Sequence, residues 1–201
     1  MQDKERMKKE LLSYIRKLPT SGWVVSTSGN MSVRCDDGTI IITPSSTSYE
    51  TMVEDDLFEV SPEGEILKAG NNRPTSSIRF HLALMKNRPD CKCIIHTHAP
   101  YCLAASTVTN TVPPVTLNAK LLLGEGGIRV SAYAENGSAI EAANVTTAMA
   151  ESNHACLMQN HGVVTIGASL EEAWVNMGYA EDCCRVWLIA KSTGEQISYI
   201  R

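Results

Sequence analysis

Cys93-Ile94-Ile95-His96-Thr97-His98-Ala99-Pro100 is an apolar run that ends in two histidines separated by a single residue. Strand side chains alternate faces with a period of two, so His96 and His98 emerge on the same side of whatever sheet holds the run. Neutral imidazole nitrogens are common zinc ligands, and catalytic zinc sites keep about three protein ligands with one position open. The third ligand such a site needs is offered by His161, in Leu157-Met158-Gln159-Asn160-His161-Gly162-Val163-Val164, where a second apolar run breaks at a His-Gly turn and resumes. Each histidine taken alone also fits a strand cap with a local hydrogen bond. The pair and the third histidine together point to a metal.

Composition narrows the class further. The 201 residues fit one domain, 1–201, with a substantial core. Hydrophobic residues make up 43% and charged residues 20%, a globular composition too apolar for disorder. A formal net charge of −4 argues against a nucleic-acid surface, which needs a basic excess. No apolar run approaches the roughly 20 residues of a membrane span. The opening Met1-Gln2-Asp3-Lys4-Glu5-Arg6 lacks the apolar core of a signal peptide, so a cytoplasmic protein is expected. Its seven cysteines are odd in number and read as reduced thiols. Alternation extended back from His96 puts Cys91 and Cys93 on the face opposite the histidines, which argues against a Cys-His metal site. Cys183-Cys184 falls in a helical pattern and reads as packing.

In chain order, Met7, Leu11, Ile15 and Leu18 recur at helical spacing until Pro19. The passage Thr20 to Ser32 is rich in small hydroxyl residues and glycine, which suits an ordinary loop or a backbone cradle for an anion. Met31–Arg34 and Thr39–Thr43 form a hairpin around Asp36-Asp37-Gly38, followed by Pro44-Ser45-Ser46 and a short strand, Leu57–Val60. Arg73-Pro74-Thr75-Ser76-Ser77 precedes a helix with Ile78, Leu82 and Met85, where the hydroxyls would cap free amides or help hold phosphate. Further helices follow at Pro100–Thr107, after the capping box Ser138-Ala139-Ile140-Glu141, and after Ser169, the last running to Gly194. Helices before, between and after strands give a layered α/β domain.

Several blocks in fixed order resemble the class II aldolase/adducin family: Ser28-Gly29-Asn30-Met31-Ser32-Val33-Arg34, Ile42-Thr43-Pro44-Ser45-Ser46, Arg73-Pro74-Thr75-Ser76-Ser77, Arg88-Pro89-Asp90, His96-Thr97-His98, Gly126-Gly127-Ile128, Ala132-Tyr133-Ala134 and Asn160-His161-Gly162. The resemblance spans nearly the whole chain. It implies a three-layer αβα fold around a mixed, largely antiparallel sheet, and a homotetramer with active sites near subunit interfaces. It also implies Zn2+, or another divalent ion such as Mn2+ or Co2+, on His96, His98 and His161. Gly29 and Asn30, Ser45 and Ser46, and Thr75 and Ser76 match the turns that hold the substrate phosphate in the family. The implied reaction cleaves a phosphorylated ketose, of the fuculose-1-phosphate or 5-deoxypentulose-1-phosphate type, through a metal-stabilised enediolate. Its products are dihydroxyacetone phosphate and an aldehyde.

Two positions depart from the aldolases. Where they carry an acid directly after the hydroxyl pair, this chain has Ser77, which cannot titrate near neutral pH. The loop tyrosine of the fuculose enzyme is replaced, with Leu117 near its place. Lys120, Glu125 and Tyr199 are the candidates for the missing proton-transfer role, Tyr199 by serving a neighbouring subunit; on general grounds Lys120 better suits a solvated or salt-bridged lysine. A decarboxylase or epimerase of a sugar acid or sugar phosphate on the same scaffold is the alternative activity. A non-catalytic adducin-like module is a third possibility, disfavoured by three intact histidines.

Overall fold

The computed structural model describes residues 2–124, 126–149 and 153–200. Among the described residues nine strands form one sheet: β1 (Gly29–Arg34), β2 (Ile40–Ile42), β3 (Phe58–Val60), β4 (Ile66–Lys68), β5 (Cys93–Thr97), β6 (Thr111–Val112), β7 (Ile128–Ser131), β8 (Ala155–Met158) and β9 (Gly162–Gly167). Their spatial order is β4-β3-β2-β1-β5-β9-β8-β7-β6, with every pair antiparallel except β7 and β8. The helices are α1 (Gln2–Ile15), α2 (Leu18–Ser21), α3 (Ile78–Asn87), α4 (Pro100–Ser106), α5 (Leu117–Leu123), α6 (Ala139–Ala148) and α7 (Leu170–Ser192).

Two apolar clusters cover the two faces of the sheet. Leu11, Leu12 and Ile15 of α1, Cys102 of α4, Leu123 of α5 and Met177 and Trp187 of α7 pack with Met31, Val33, Ile95 and Val163 on one face. Phe80, Leu84 and Met85 of α3 and Val145 of α6 pack with Ile40, Ile94, Val164 and Ile166 on the other. The alternation Ile94/Ile95 and Val163/Val164 across these clusters is the period-two rule at work in fully buried strands. The result is the expected three-layer αβα architecture.

Local differences have physical causes. Pro19 does not end the first helix; it occupies the first turn of α2, where its missing amide hydrogen is not needed. Helix α5 and strands β4 and β6 were not apparent in the sequence because they are short. Cys91 lies with Ile94 on the α3/α6 side rather than with Cys93. Strand β5 starts only at Cys93, and Cys91 N donates to Arg88 O in the preceding turn, so alternation does not reach it. All seven cysteines are buried free thiols.

The centre of the sheet positions the histidines. Asn30 of β1 and Val164 of β9 are the cross-strand partners of His96 in β5. The turn between β8 and β9 carries His161, with Asn160 in the left-handed region at φ 59°. Gly162 follows, where a Cβ would collide with the Thr97 carbonyl and stand 3.1 Å from the His98 ring and 3.2 Å from that of His96. Only a residue without a side chain lets β9 lie this close to the histidine strand. Gly162→Ala is expected to cost about 1–3 kcal/mol of stability through overpacking. Urea unfolding would measure it, and an unchanged midpoint would contradict the close-approach account.

Candidate functional site

His96 is fully enclosed on β5, His98 lies just beyond the strand's end, and His161 reaches over from the β8–β9 turn. The three ring centroids are 4.9 to 5.2 Å apart. One nitrogen from each ring falls within 4.8 Å of the other two. His96 Nδ1 donates to the Val163 carbonyl at 3.0 Å, which leaves its Nε2 as the lone-pair nitrogen. Burial and the neighbouring imidazoles hold His96 well below the ordinary histidine range. Burial, then His161, lowers His98 to about 4. Both rings are therefore neutral near pH 7, the form that ligates metal.

Behind His161 stands Glu141. Ser138 Oγ accepts from Glu141 N at 3.0 Å, so half of the expected capping box forms. The Glu141 side chain completes a different circuit, with Oε2 accepting from Gly137 N at 2.8 Å and Oε1 lying 3.2 Å from His161 Nδ1. Oε1 is buried and has no aligned hydrogen-bond donor among the described residues, so the contact with His161 is an ion-pair distance without full hydrogen-bond geometry. A carboxylate in this position favours a proton on Nδ1 and turns the other nitrogen of His161 toward His96 and His98. Three imidazoles backed by a carbonyl and a carboxylate fit a divalent ion.

The histidines form one end of a cavity lined by Thr27, Ser28, Gly29, Asn30, Pro44, Ser45, Ser46, Thr75, Ser76, Ser77 and Asn136. Every position matched above to phosphate binding is thus brought to it. Gly29, at φ 137°, lies where a Cβ would stand 2.8 Å from the His96 carbonyl, so this turn too requires glycine. Ser46 adopts φ 54° beside Ser45, and Ser45 N donates to Arg73 O at 2.8 Å, tying that loop to the segment before α3. Ser76 Oγ and the Asn136 amide are hydrogen-bonded at 3.2 Å. No lysine or arginine is among these lining residues. An anion here would be held by hydroxyls and backbone amides.

Of the hydroxyls before α3, Thr75 Oγ1 accepts from Ser77 N at 3.3 Å, as a capping hydroxyl would. Ser77 is the cap residue but makes no side-chain capping bond. Instead its Oγ accepts from Asn30 Nδ2 at 3.1 Å, while Asn30 Oδ1 meets His81 Nε2 and His81 Nδ1 meets Ser32 Oγ at 2.7 Å. Burial alone pushes His81 down to about 3, so the ring is neutral. His81 and Glu141 escaped the sequence reading. The helical pattern of α3 gives His81 no distinguishing signal and Glu141 fits a capping box; only tertiary contacts reveal either role.

Two of the three candidate proton-transfer residues, Lys120 and Tyr199, are not brought to this cavity by the single chain. Lys120 lies on α5, which packs on the opposite face of the sheet from α3, and Tyr199 is exposed in the tail beyond α7. Neither lines the cavity, and Glu125 lies outside the described residues.

If Glu141 orients His161, Glu141→Leu should bind zinc about 10–100-fold more weakly than the unaltered protein while keeping its fold. Competition with a chromophoric chelator would measure this, with circular dichroism as the control. Equal affinities would contradict the orienting role.

Comparison with known proteins agrees with this geometry. The model of the class II aldolase and adducin N-terminal domain matches residues 9–188. A 5-methylthioribulose-1-phosphate/5-deoxyribulose-1-phosphate aldolase of Rhodospirillum rubrum is 33% identical over 163 residues, 81% of this chain and 72% of that protein. A 3-oxo-tetronate 4-phosphate decarboxylase of Haemophilus influenzae is 31% identical over 196 residues, 96% of this chain and 91% of that protein. The solved structure of an L-fuculose 1-phosphate aldolase superposes with a TM-score of 0.90 at 28% identity, covering 96% of this chain and 90% of the other. With the family model spanning both the histidine cluster and the hydroxyl-lined turns, the chain belongs to the class II aldolase/adducin family.

Proposed function

We propose that the chain is a metal-dependent carbon–carbon lyase acting on a small phosphorylated ketose of the fuculose-1-phosphate or 5-deoxypentulose-1-phosphate type. Its products would be dihydroxyacetone phosphate and an aldehyde. The observation that carries this reading is one cavity in which three imidazoles converge opposite a rim of hydroxyls. His96, His98 and His161 would hold the ion, for which zinc suits the all-imidazole set, with Mn2+ or Co2+ as alternatives. When bound, the ion would supply Lewis-acid stabilisation of charge developing on the substrate's oxygens.

The protein's own part is positioning. Ser45, Ser46, Thr75, Ser76 and the backbone at Gly29 and Asn30 would grip the phosphate, remote from the bond that breaks, and fix the reacting carbons beside the histidines. The candidates for proton transfer are Glu125 and, from a neighbouring chain, Tyr199; Lys120 lies away from the cavity of its own chain and would have to act across the same interface. The assembly this needs is the homotetramer expected from the resemblance, and the exposed Leu117, Leu121 and Leu122 of α5 are apolar surface such an assembly would cover.

A second reading, decarboxylation of a phosphorylated oxo acid, is favoured by a specific observation: among the described residues no carboxylate lines the cavity. A carboxylate there would repel the acid group of such a substrate. The module without chemistry has no use for an enclosed imidazole cluster.

The zinc-loaded protein should be assayed with a panel of ketose 1-phosphates and phosphorylated oxo acids, following dihydroxyacetone phosphate and carbon dioxide. Release of dihydroxyacetone phosphate is the expected result, carbon dioxide alone would establish the second reading, and neither product would overturn both. With an accepted substrate, Ser45→Ala and Ser76→Ala should raise KM more than they lower kcat, because phosphate contacts act mainly in uniform binding. An unchanged KM in both would remove these residues from the phosphate site.

A further inference from the structure

Ser32, His81, Asn30 and Ser77 form a chain of four buried polar side chains that runs from the interior to the cavity wall. Its bonds have two self-consistent directions. In the first, Ser32 donates to His81 Nδ1, His81 Nε2–H donates to the Asn30 carbonyl, and the Asn30 amide donates to Ser77 Oγ. In the second, every bond reverses, and Ser77 spends its proton on Asn30. A doubly protonated imidazole would escape this choice, but complete burial keeps His81 neutral with one N–H.

The inner end decides the direction. Ser32 Oγ is fully buried, and His81 Nδ1 is its one hydrogen-bond partner among the described residues. In the second direction His81 would donate to Ser32, and the Ser32 proton would have no acceptor. The first direction satisfies the Ser32 proton and leaves only its lone pairs unfilled. Buried donors without acceptors are the rarer and costlier defect. The first direction also matches the orientation of the Asn30 amide, with Oδ1 toward His81 and Nδ2 toward Ser77.

We infer that Ser77 is a hydrogen-bond donor to a substrate oxygen, with one of its two lone pairs taken by Asn30 and its proton left for the histidine-lined cavity by the direction of the Ser32–His81–Asn30 chain. This rests on the reading of the cavity as a sugar-phosphate site and deepens it. Where an acid would repel an anionic group, a neutral donor attracts one. The substrate oxygen it serves is a carboxylate oxygen or one that gains negative charge as a carbon–carbon bond breaks. Ser77 would then set specificity for substrates with a second anionic or charge-gathering group in addition to phosphate.

Two measurements on the zinc-loaded protein test the assignment. Long-range 1H–15N correlation spectra report the His81 tautomer, and protonation at Nε2 is expected; protonation at Nδ1 overturns the inference. Calorimetry with 2-phosphoglycolate, which joins a phosphate to a carboxylate, compares the unaltered protein with Ser77→Ala and Ser77→Thr. A loss of tenfold or more in Ser77→Ala, restored in part by Ser77→Thr, is expected, with inorganic phosphate affinity and zinc content the same in all three. Equal 2-phosphoglycolate affinity in the unaltered protein and Ser77→Ala overturns the donor role. Failure of the unaltered protein to bind either 2-phosphoglycolate or phosphate overturns the sugar-phosphate reading beneath it, and the tautomer result is unaffected by that failure.

Discussion

Imidazoles packed into one buried corner resist the positively charged, doubly protonated form, and the surrounding structure serves that constraint. Burial and mutual proximity keep His96 and His98 neutral. Each nitrogen not facing the cluster then needs a partner, which the Val163 carbonyl supplies to His96 and the Glu141 carboxylate faces at His161. The contact requires β9 to lie against β5 without a side chain between them, and Gly162 permits it. The central strands, a glycine and a buried acid on α6 are thus one device for presenting lone pairs to one point.

The opposite wall of the cavity is built on a different chemistry. Its donors are hydroxyls and amides held by loop geometry, with Ser46 in a left-handed conformation and Ser76 braced against Asn136. Neutral donors bind an oxyanion through direction rather than net charge, so affinity depends on the loops keeping their shape. The chain of Ser32, His81 and Asn30 extends the same logic to Ser77. A buried histidine there acts as a rigid spacer with one donor and one acceptor, and its value lies in remaining neutral.

Much of this was legible in the sequence where the pattern is local. The pairing of His96 with His98 follows from period-two alternation carried one residue past the end of β5, and the His-Gly turn follows from a break in an apolar run. The hydroxyl-rich turns at Ser45, Ser46, Thr75 and Ser76 were recognisable by composition and order, although their convergence on the histidines is a tertiary fact. Glu141 and His81 were illegible for a shared reason: each has an ordinary local explanation, a helix cap or a polar residue on an amphipathic helix, and its partners lie 20 to 51 positions away. Cys91 misled because alternation was extended past the end of β5. Short elements such as β6, two residues long, carry too few side chains to show a period.

X-ray absorption spectroscopy of the zinc-loaded protein is the most direct test of the central claim, because it reports the donor atoms themselves. The account predicts three imidazole nitrogens and one oxygen from solvent or ligand, all near about 2.0–2.1 Å. A sulfur donor at about 2.3 Å, recruited from one of the buried cysteines, or a shell with fewer than three imidazoles, would contradict it.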